Sequence, residues 1–218
     1  MPKASGKSHA APGGPFLIGD TMTGGYGKGP DILHACTIAV ERGEIAVIVG
    51  PNGAGKSTAM KAVFGMLDVR SGSVRLDGED ITGLSPQARV AKGMGFVPQT
   101  SNIFTSMTVE ENLEMGAFIR RDDYRDTMAQ IYDLFPILKD KRHQAAGELS
   151  GGQRQQVFDR IIEVARTGIP ILMVEQNARQ ALEIADKGYV LVQGTNAFTG
   201  TGKELLADPE VRKSFLGG

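Results

Sequence analysis

The chain has 218 residues, of which 41% are hydrophobic, and its formal net charge is -1. This length can bury one α/β core with an attached subdomain, and the balanced charge, with no concentrated Lys/Arg stripe, argues against a nucleic-acid surface. A single cysteine excludes an internal disulfide, and without a signal-peptide pattern or an apolar run of about 18 residues we expect a cytoplasmic protein that reaches a membrane only through partners.

The chain begins with small and polar residues, and MPKASGKSHAAPGGP predicts a flexible tail over residues 1–15. From Phe16 to about Asp80 the pattern is rich in predicted strands. Cys36 lies in one of them, LHACTIAV, and is expected to be a small core residue rather than a reactive thiol. The three histidines show no metal-ligand spacing.

A nucleotide-binding motif follows in residues 44–58, where an apolar run that predicts a buried strand continues into GPNGAGKS. This is a complete G-x-x-x-x-G-K-[ST] phosphate loop, whose glycines let consecutive N–H groups face the phosphates at a helix N-terminus. In this chemistry Lys56 reaches the β- and γ-phosphates and Ser57 binds Mg²⁺. The alternative is a glycine-rich turn with a chance lysine, but the motif stands between a strand and the helical pattern TAMKAVFGML. The predicted binding residues are Gly50, Pro51, Asn52, Gly53, Ala54, Gly55, Lys56, Ser57 and Thr58.

The middle of the chain changes from strand to helix patterns. A short helix precedes MGFVPQ, which predicts an apolar strand ending at Gln99, and residues 100–156 look predominantly helical. Thr108 is the predicted N-cap of a helix over VEENLEMGAFIRR, and DTMAQIYDLFPIL predicts another, amphipathic helix.

A second glycine motif, LSGGQ, occupies Leu149, Ser150, Gly151, Gly152 and Gln153. The serine can cap the helix that follows, and the glycines allow close backbone approach to a phosphate. An ordinary Ser-capped helix start is the alternative. Apolar residues then recur at helical spacing in Val157, Phe158, Ile161, Ile162 and Ala165.

The last part alternates again, with strands predicted at residues 171–175 and 189–193, the helix ARQALEIAD between them and a final helix ending at Phe215. GPNGAGKS and LSGGQ, about ninety residues apart, resemble the motifs of ABC transporter ATP-binding subunits. ILMVEQNARQALEIADKGYVL and ELLADPEVRKSFLGG are similar to the branch that serves branched-chain amino-acid uptake, in particular the shorter of its two ATPase types. The resemblance covers residues 16–218.

The resemblance implies an α/β fold of the P-loop NTPase, ABC ATPase type. It has a nucleotide-binding α/β core (residues 16–99 and 157–218) and a helical signature subdomain (residues 100–156), with a mostly parallel core sheet and an antiparallel β subdomain. It also implies ATP and Mg²⁺, a second ATP-binding subunit, identical or different, two transmembrane permease subunits and a periplasmic solute-binding protein. The subunit would lie on the cytoplasmic face of the membrane and couple ATP hydrolysis to uptake.

Residue roles carry over position by position. Tyr26 would stack on adenine, and Gln99 would contact Mg²⁺ and the attacking water. Gln176 stands where most of the family has a histidine that contacts the γ-phosphate. The motif at residues 149–153 would close over the γ-phosphate held by the other subunit, and residues 99–116 would meet the permease.

One departure matters. The family carries, between the LSGGQ motif and the residue at Gln176, a strand of four apolar residues ending in Asp-Glu and then a short loop. Only 26 positions separate Ser150 from Gln176 here, about half of what that pattern needs. The missing segment falls between Gln156 and Val157, and the general-base glutamate is expected to be absent with it.

One alternative concerns the missing strand, and others concern the function. ILMVE, ending in Glu175, could be the missing strand itself, although no aspartate precedes that glutamate. The protein could instead be an ABC ATPase without a transporter, or a nucleotide-binding remnant without turnover. Within the family, a urea or amide importer is the nearest alternative.

Overall fold

The structure, a computed structural model, describes residues 14–98, 103–148 and 154–215. The predicted tail over residues 1–15 therefore lies almost wholly outside the described residues. The chain divides into two compact units. One comprises the residues up to Lys92 together with those from Phe158 onward, and the other is Gly93–Val157.

The strands of the described chain all lie in the first unit. In chain order they are β1 (Leu17–Gly25), β2 (Leu33–Val40), β3 (Ile45–Val49), β4 (Asp68–Leu76), β5 (Glu79–Asp80), β6 (Ile171–Val174), β7 (Lys187–Val192) and β8 (Thr195–Gly200). They form an antiparallel sheet of order β2-β1-β4-β5 and a second sheet of order β6-β3-β7-β8.

The helices of the described residues are distributed over both units. They are α1 (Lys56–Phe64), α2 (Pro86–Ala91), α3 (Val109–Gly116), α4 (Arg125–Leu134), α5 (Pro136–Asp140), α6 (Arg154–Arg166), α7 (Ala178–Ile184), α8 (Gly202–Ala207) and α9 (Pro209–Phe215). None of the helices in the described ranges is long and apolar enough to cross a membrane.

The second sheet forms the core around β3. This strand pairs in parallel with β6 on one side and with β7 on the other, whereas β8 returns antiparallel to β7. All five residues of β3 are buried, as expected for a parallel strand covered on both faces. Ile45, Val47 and Val49 pack in one cluster with residues of α6 and α7 such as Ala165 and Leu182. The predicted mostly parallel core and antiparallel subdomain are confirmed.

Helix α6 spans the junction at Gln156 and Val157 without a break. Its apolar face follows the predicted spacing, since Phe158 and Ala165 are buried and Ile161 and Ile162 pack against the core cluster. The helix therefore continues across the junction, as predicted.

One edge of the core sheet is open. Strand β6 pairs with β3 alone, and no other strand of the described residues lies against its second edge. Each of its four residues is only half buried. Residues 94–98, predicted as a strand, form no regular secondary structure, and the side chain of Val97 is 80% exposed. This prediction was wrong because a short apolar segment becomes a strand only when a neighbouring strand pairs with it.

The second unit is mainly helical. Helix α3 begins at the predicted N-cap, where Thr108 Oγ1 accepts the N–H of Glu111 and the Glu111 carboxylate accepts the N–H of Thr108. The helix ends at Gly116, earlier than predicted. The pattern DTMAQIYDLFPIL forms two helices rather than one, since Pro136 cannot donate an N–H to continue α4 and instead begins α5.

A buried arginine holds the C-terminal end of α1. Arg89, on α2, is only 1% exposed, and its guanidinium donates to the carbonyls of Ala62, Val63, Thr82 and Leu84. Three of these distances are 3.1, 3.2 and 2.8 Å, to Leu84, Ala62 and Thr82 respectively. The last carbonyls of a helix lack intrahelical donors, so this side chain satisfies them.

Replacing Arg89 by Met should strongly destabilise the first unit. Methionine keeps most of the volume but leaves buried carbonyls without donors, which we expect to cost about 3 kcal/mol of unfolding free energy. Urea denaturation of the two proteins gives this difference. Arg75→Met, at an exposed arginine on β4, is the matched control and should change stability by less than about 0.5 kcal/mol. Equal stability of Arg89→Met and the parent would show that the carbonyls find other donors.

Candidate phosphate-binding site

The predicted phosphate loop lies directly between β3 and α1. Gly50 leaves the buried strand with φ 143°, and a Cβ at this position would lie 2.2 Å from the carbonyl oxygen of Leu191. Gly53 and Gly55 have φ of 81° and 93°, in the left-handed region that favours glycine. The glycines of the motif are thus required by close approach and by backbone conformation, as the sequence indicated.

Lys56 is the first residue of α1, and its ammonium group is folded back over the loop. Its Nζ donates to the carbonyls of Gly50 at 2.7 Å and Pro51 at 2.9 Å. The residue is largely buried, and this desolvation lowers the pKa of Lys56 from its ordinary value. Lys56 still carries a positive charge above a loop of backbone N–H groups, which is the arrangement that suits a polyphosphate.

The first turn of α1 completes the site. Its N–H groups have no intrahelical acceptor and give the helix a positive N-terminus. Ser57 is exposed there, whereas Thr58 is buried. An exposed hydroxyl beside the loop is a suitable ligand for Mg²⁺ bound to a nucleotide. The described parts of the chain contain no group of three or more His, Cys, Asp or Glu side chains that could hold a metal ion.

A hairpin turn that the sequence analysis missed supports the loop. Gly194, between β7 and β8, donates its N–H to the carbonyl of Ala54 at 2.9 Å and accepts the N–H of His34 at 3.0 Å. A Cβ on Gly194 would lie 1.8 Å from the carbonyl oxygen of Ile32, so only glycine fits. The Gln193-Gly194 pair directly after the apolar run of β7 is the signal that could have predicted this hairpin.

Tyr26 stands beside the helix that carries the phosphate loop. Its ring is 45% exposed, and Lys61 Nζ, on α1, lies 5.3 Å from the ring centroid. Tyr26, the predicted adenine-stacking residue, therefore contacts α1, the helix that begins at Lys56. The residue is partly open to solvent.

Gln176 follows the carboxyl end of β6, and the phosphate loop follows the carboxyl end of the neighbouring parallel strand β3. Val174 of β6 pairs with Ile48 of β3, so two residues later Gln176 is level with Gly50. The side chain of Gln176 is exposed. The parallel register, rather than any local motif, brings these distant parts of the sequence together.

The carboxylate of Glu175 is bonded to the backbone that follows it. Its Oε1 accepts the N–H of Gln176 at 2.7 Å and of Asn177 at 3.0 Å, so the carboxylate is bound to the backbone at the start of α7. Gln99 and the motif Leu149–Gln153 lie outside the described residues. Cys36 is fully buried, and burial raises the pKa of its thiol to about 11, as suits a core residue.

Comparison with known proteins identifies the family. The family model described as ABC transporter matches residues 33–173. The high-affinity branched-chain amino acid transport ATP-binding protein BraG of Pseudomonas aeruginosa is 37% identical, over 93% of this chain and 100% of that protein. The probable branched-chain amino acid transport ATP-binding protein LivF of Archaeoglobus fulgidus is 36% identical, over 90% of this chain and 96% of its own length.

A solved structure has the same fold. An ATP-binding cassette of an ABC transporter in its ADP conformation superposes with a TM-score of 0.77 over 93% of this chain and 99% of that one, at 25% identity.

The alignment with BraG is longer than the part of this chain that it covers. It runs over 234 positions but uses 93% of the 218 residues here, about 203, so about 31 positions have no residue in this chain. A phosphate loop between the buried strand β3 and α1, a matching family model and relatives of more than one-third identity agree. This chain belongs to the ABC transporter family of ATP-binding proteins, whose members are ATPases.

Proposed function

We propose that this chain is the ATP-binding subunit of an importer for branched-chain or related amino acids. The observation that carries the proposal is the phosphate loop itself, in which Lys56 stands at the start of α1 above Gly50 and Pro51. The transported solute class comes from the names of the BraG and LivF relatives. A urea or amide importer is the alternative with the same site.

Each predicted residue has a task in this proposal. Residues 50–58 hold the phosphates, with Lys56 released from its two carbonyls to contact the β- and γ-oxygens. Tyr26 stacks on the adenine. Gln176 contacts the γ-phosphate, and residues 149–153 of a second subunit close over it.

Mg²⁺ would be held by Ser57 and Gln99 and would neutralise phosphate charge when bound with ATP. The exposed Ser57 hydroxyl fits this role. Two permease subunits would anchor the ATPase pair to the cytoplasmic face of the membrane. A periplasmic binding protein would select the solute, and no nucleic acid takes part.

Replacing Lys56 by Ala tests the site. The change removes the positive charge that contacts the β- and γ-phosphates. It should weaken Mg-ATP binding about tenfold in isothermal titration. Lys203→Ala, at an exposed lysine on α8, makes the same charge change and should leave the affinity unaltered. Equal affinity of Lys56→Ala and the parent would remove Lys56 from the site.

The proposed permease contact involves residues 103–119, the described part of the predicted docking segment and its continuation. Several large apolar side chains are exposed along it, namely Ile103, Phe104, Met115, Phe118 and Ile119. Apolar side chains that remain exposed in a cluster along one segment mark a protein contact. Glu111 is unsuitable for a test by charge reversal because its carboxylate is part of the cap of α3.

Replacing Phe118 by Ser should therefore disturb assembly. Its ring is 78% exposed, so the change should leave Mg-ATP affinity unaltered while reducing co-purification with the permease subunits from the same genome by about tenfold. Ile137→Ser, at another exposed apolar residue of the same unit, is the control and should assemble normally. Undiminished co-purification of Phe118→Ser would place the contact elsewhere.

A further inference from the structure

The turn that carries Tyr26 is held by an arginine from another strand. Arg70, on β4, donates through Nη2 to the carbonyls of Gly27 and Gly29, both at 2.7 Å, and through Nη1 to the carboxylate of Asp31 at 2.5 Å. One guanidinium thus binds three acceptors on the connection between β1 and β2. The fork of fixed donors that this needs is specific to arginine.

Without such a contact the turn would be unusually free. Gly27 and Gly29 follow the end of β1 and flank Lys28, and Gly27 has φ 51°. Two backbone bonds close the connection, from the N–H of Gly29 to the carbonyl of Tyr26 at 3.0 Å and from the N–H of Ile32 to the carbonyl of Gly24 at 2.8 Å, and neither holds residues 27 and 28. Glycine loses more conformational freedom on ordering than any other residue, so a ligand that had to order this turn would bind less tightly.

The aromatic ring has a second support. Lys61 Nζ lies 5.3 Å from the centroid of Tyr26, on the helix whose first residue is Lys56. The ammonium is attracted to the electron-rich ring and links the turn to the phosphate-binding helix. Tyr26 remains 45% exposed, so solvent reaches this residue.

We propose that Arg70 and Lys61 are positioning residues that fix Tyr26 for the adenine base before the nucleotide arrives. This rests on the proposed function, in which Tyr26 stacks on adenine. Arg70 sets the backbone of the turn, and Lys61 sets the ring relative to α1. Neither residue touches the phosphates in this arrangement, so their effect is confined to the base of the nucleotide.

Calorimetric titration with two probes, Mg-ATP and inorganic tripolyphosphate, separates the base from the phosphates. Arg70→Lys keeps the charge but cannot bind three acceptors, and we expect about threefold weaker binding of Mg-ATP with unchanged binding of tripolyphosphate. Lys61→Met should show the same pattern, and Lys61→Arg should restore the parent affinity. Arg75→Lys, on the same strand, is the matched control and should bind both probes normally.

The variant Tyr26→Ala decides between two kinds of failure. We expect it to weaken Mg-ATP alone by about fivefold, and Arg70→Lys should add nothing once Tyr26 is gone. If Tyr26→Ala binds Mg-ATP as the parent does, the stacking role fails, and the positioning role fails with it. If Tyr26→Ala weakens Mg-ATP but Arg70→Lys either has no effect or weakens both probes equally, the positioning role alone is overturned and the proposed function stands.

Discussion

Purified to verified mass, this chain should bind Mg-ATP but release phosphate about 10² to 10⁴ times more slowly than a relative of full length. The resemblance to the family implies a glutamate that polarises the attacking water and a preceding aspartate that helps to hold Mg²⁺. Both belong to the segment that is expected to be absent between Gln156 and Val157. Gln99 and Gln176 can position water but cannot accept its proton.

Glu175 does not replace that base. Its carboxylate accepts two backbone N–H groups at the start of α7, at 2.7 and 3.0 Å, and breaking these bonds would expose the start of the helix. The residue also ends a strand whose continuation, Gln176, lies level with Gly50. The alternative interpretation, in which ILMVE is the strand that carries the general base, therefore conflicts with the position of this side chain.

A steady-state phosphate-release assay measures the turnover. Inserting between Gln156 and Val157 the segment of BraG that corresponds to the family's Asp-Glu strand and the loop after it should restore turnover, while the same insertion with its glutamate changed to Gln should not. Robust turnover of the unmodified chain that Glu175→Gln abolishes would overturn the prediction. A measured mass about 3 kDa above the 23.2 kDa of this sequence would show that the segment is present in the protein.

The same insertion should also raise the unfolding free energy, by about 5 kcal/mol, or about 15 °C in the thermal midpoint. The N–H of Ile171, in β6, donates to the carbonyl of Glu44. The N–H of Glu175, directly after β6, donates to the carbonyl of Ile48. Because backbone groups alternate along a strand, Leu172 and Val174 direct their N–H and C=O groups to the open edge. The absent strand would satisfy these groups and cover the half-buried side chains of β6.

Until that edge is covered, it should promote self-association, since β6 contains no charge, proline or bulge that would protect it. Leu172→Pro removes one outward N–H and no bond to β3, so it should reduce association in light scattering while the chain stays folded. Met173→Pro removes an N–H on the β3 side and should unfold the protein instead. Identical association of Leu172→Pro and the parent would show that another surface is responsible.

The local features of this fold were predictable because short-range chemistry determines them. GPNGAGKS specifies a strand, a left-handed glycine turn and a helix start, and Thr108 with Glu111 specifies a helix cap. Residues 94–98 were predicted as a strand because the apolar pattern carries no information on whether a pairing partner exists. The apolar spacing of DTMAQIYDLFPIL continues past Pro136 and so predicts one helix, although the proline ends α4 and begins α5.

The supports of the candidate site were not predictable in the same way. Arg70, Arg89 and Gly194 act on residues that are distant in sequence, through carbonyl groups that every residue possesses. An arginine in a strand or helix is normally a surface residue. Only the register of the sheets shows which carbonyls such a side chain meets.

The unbroken course of α6 across residues 156 and 157 bears on how such a chain can arise. Two segments of different origin can form one regular helix, provided that their apolar residues lie on the same face of it. A change of about thirty residues could therefore occur in one genetic event and leave a locally regular polypeptide, with its cost appearing only at the sheet edge some distance along the sequence. By the same reasoning, a single insertion at this one position would suffice to reverse it.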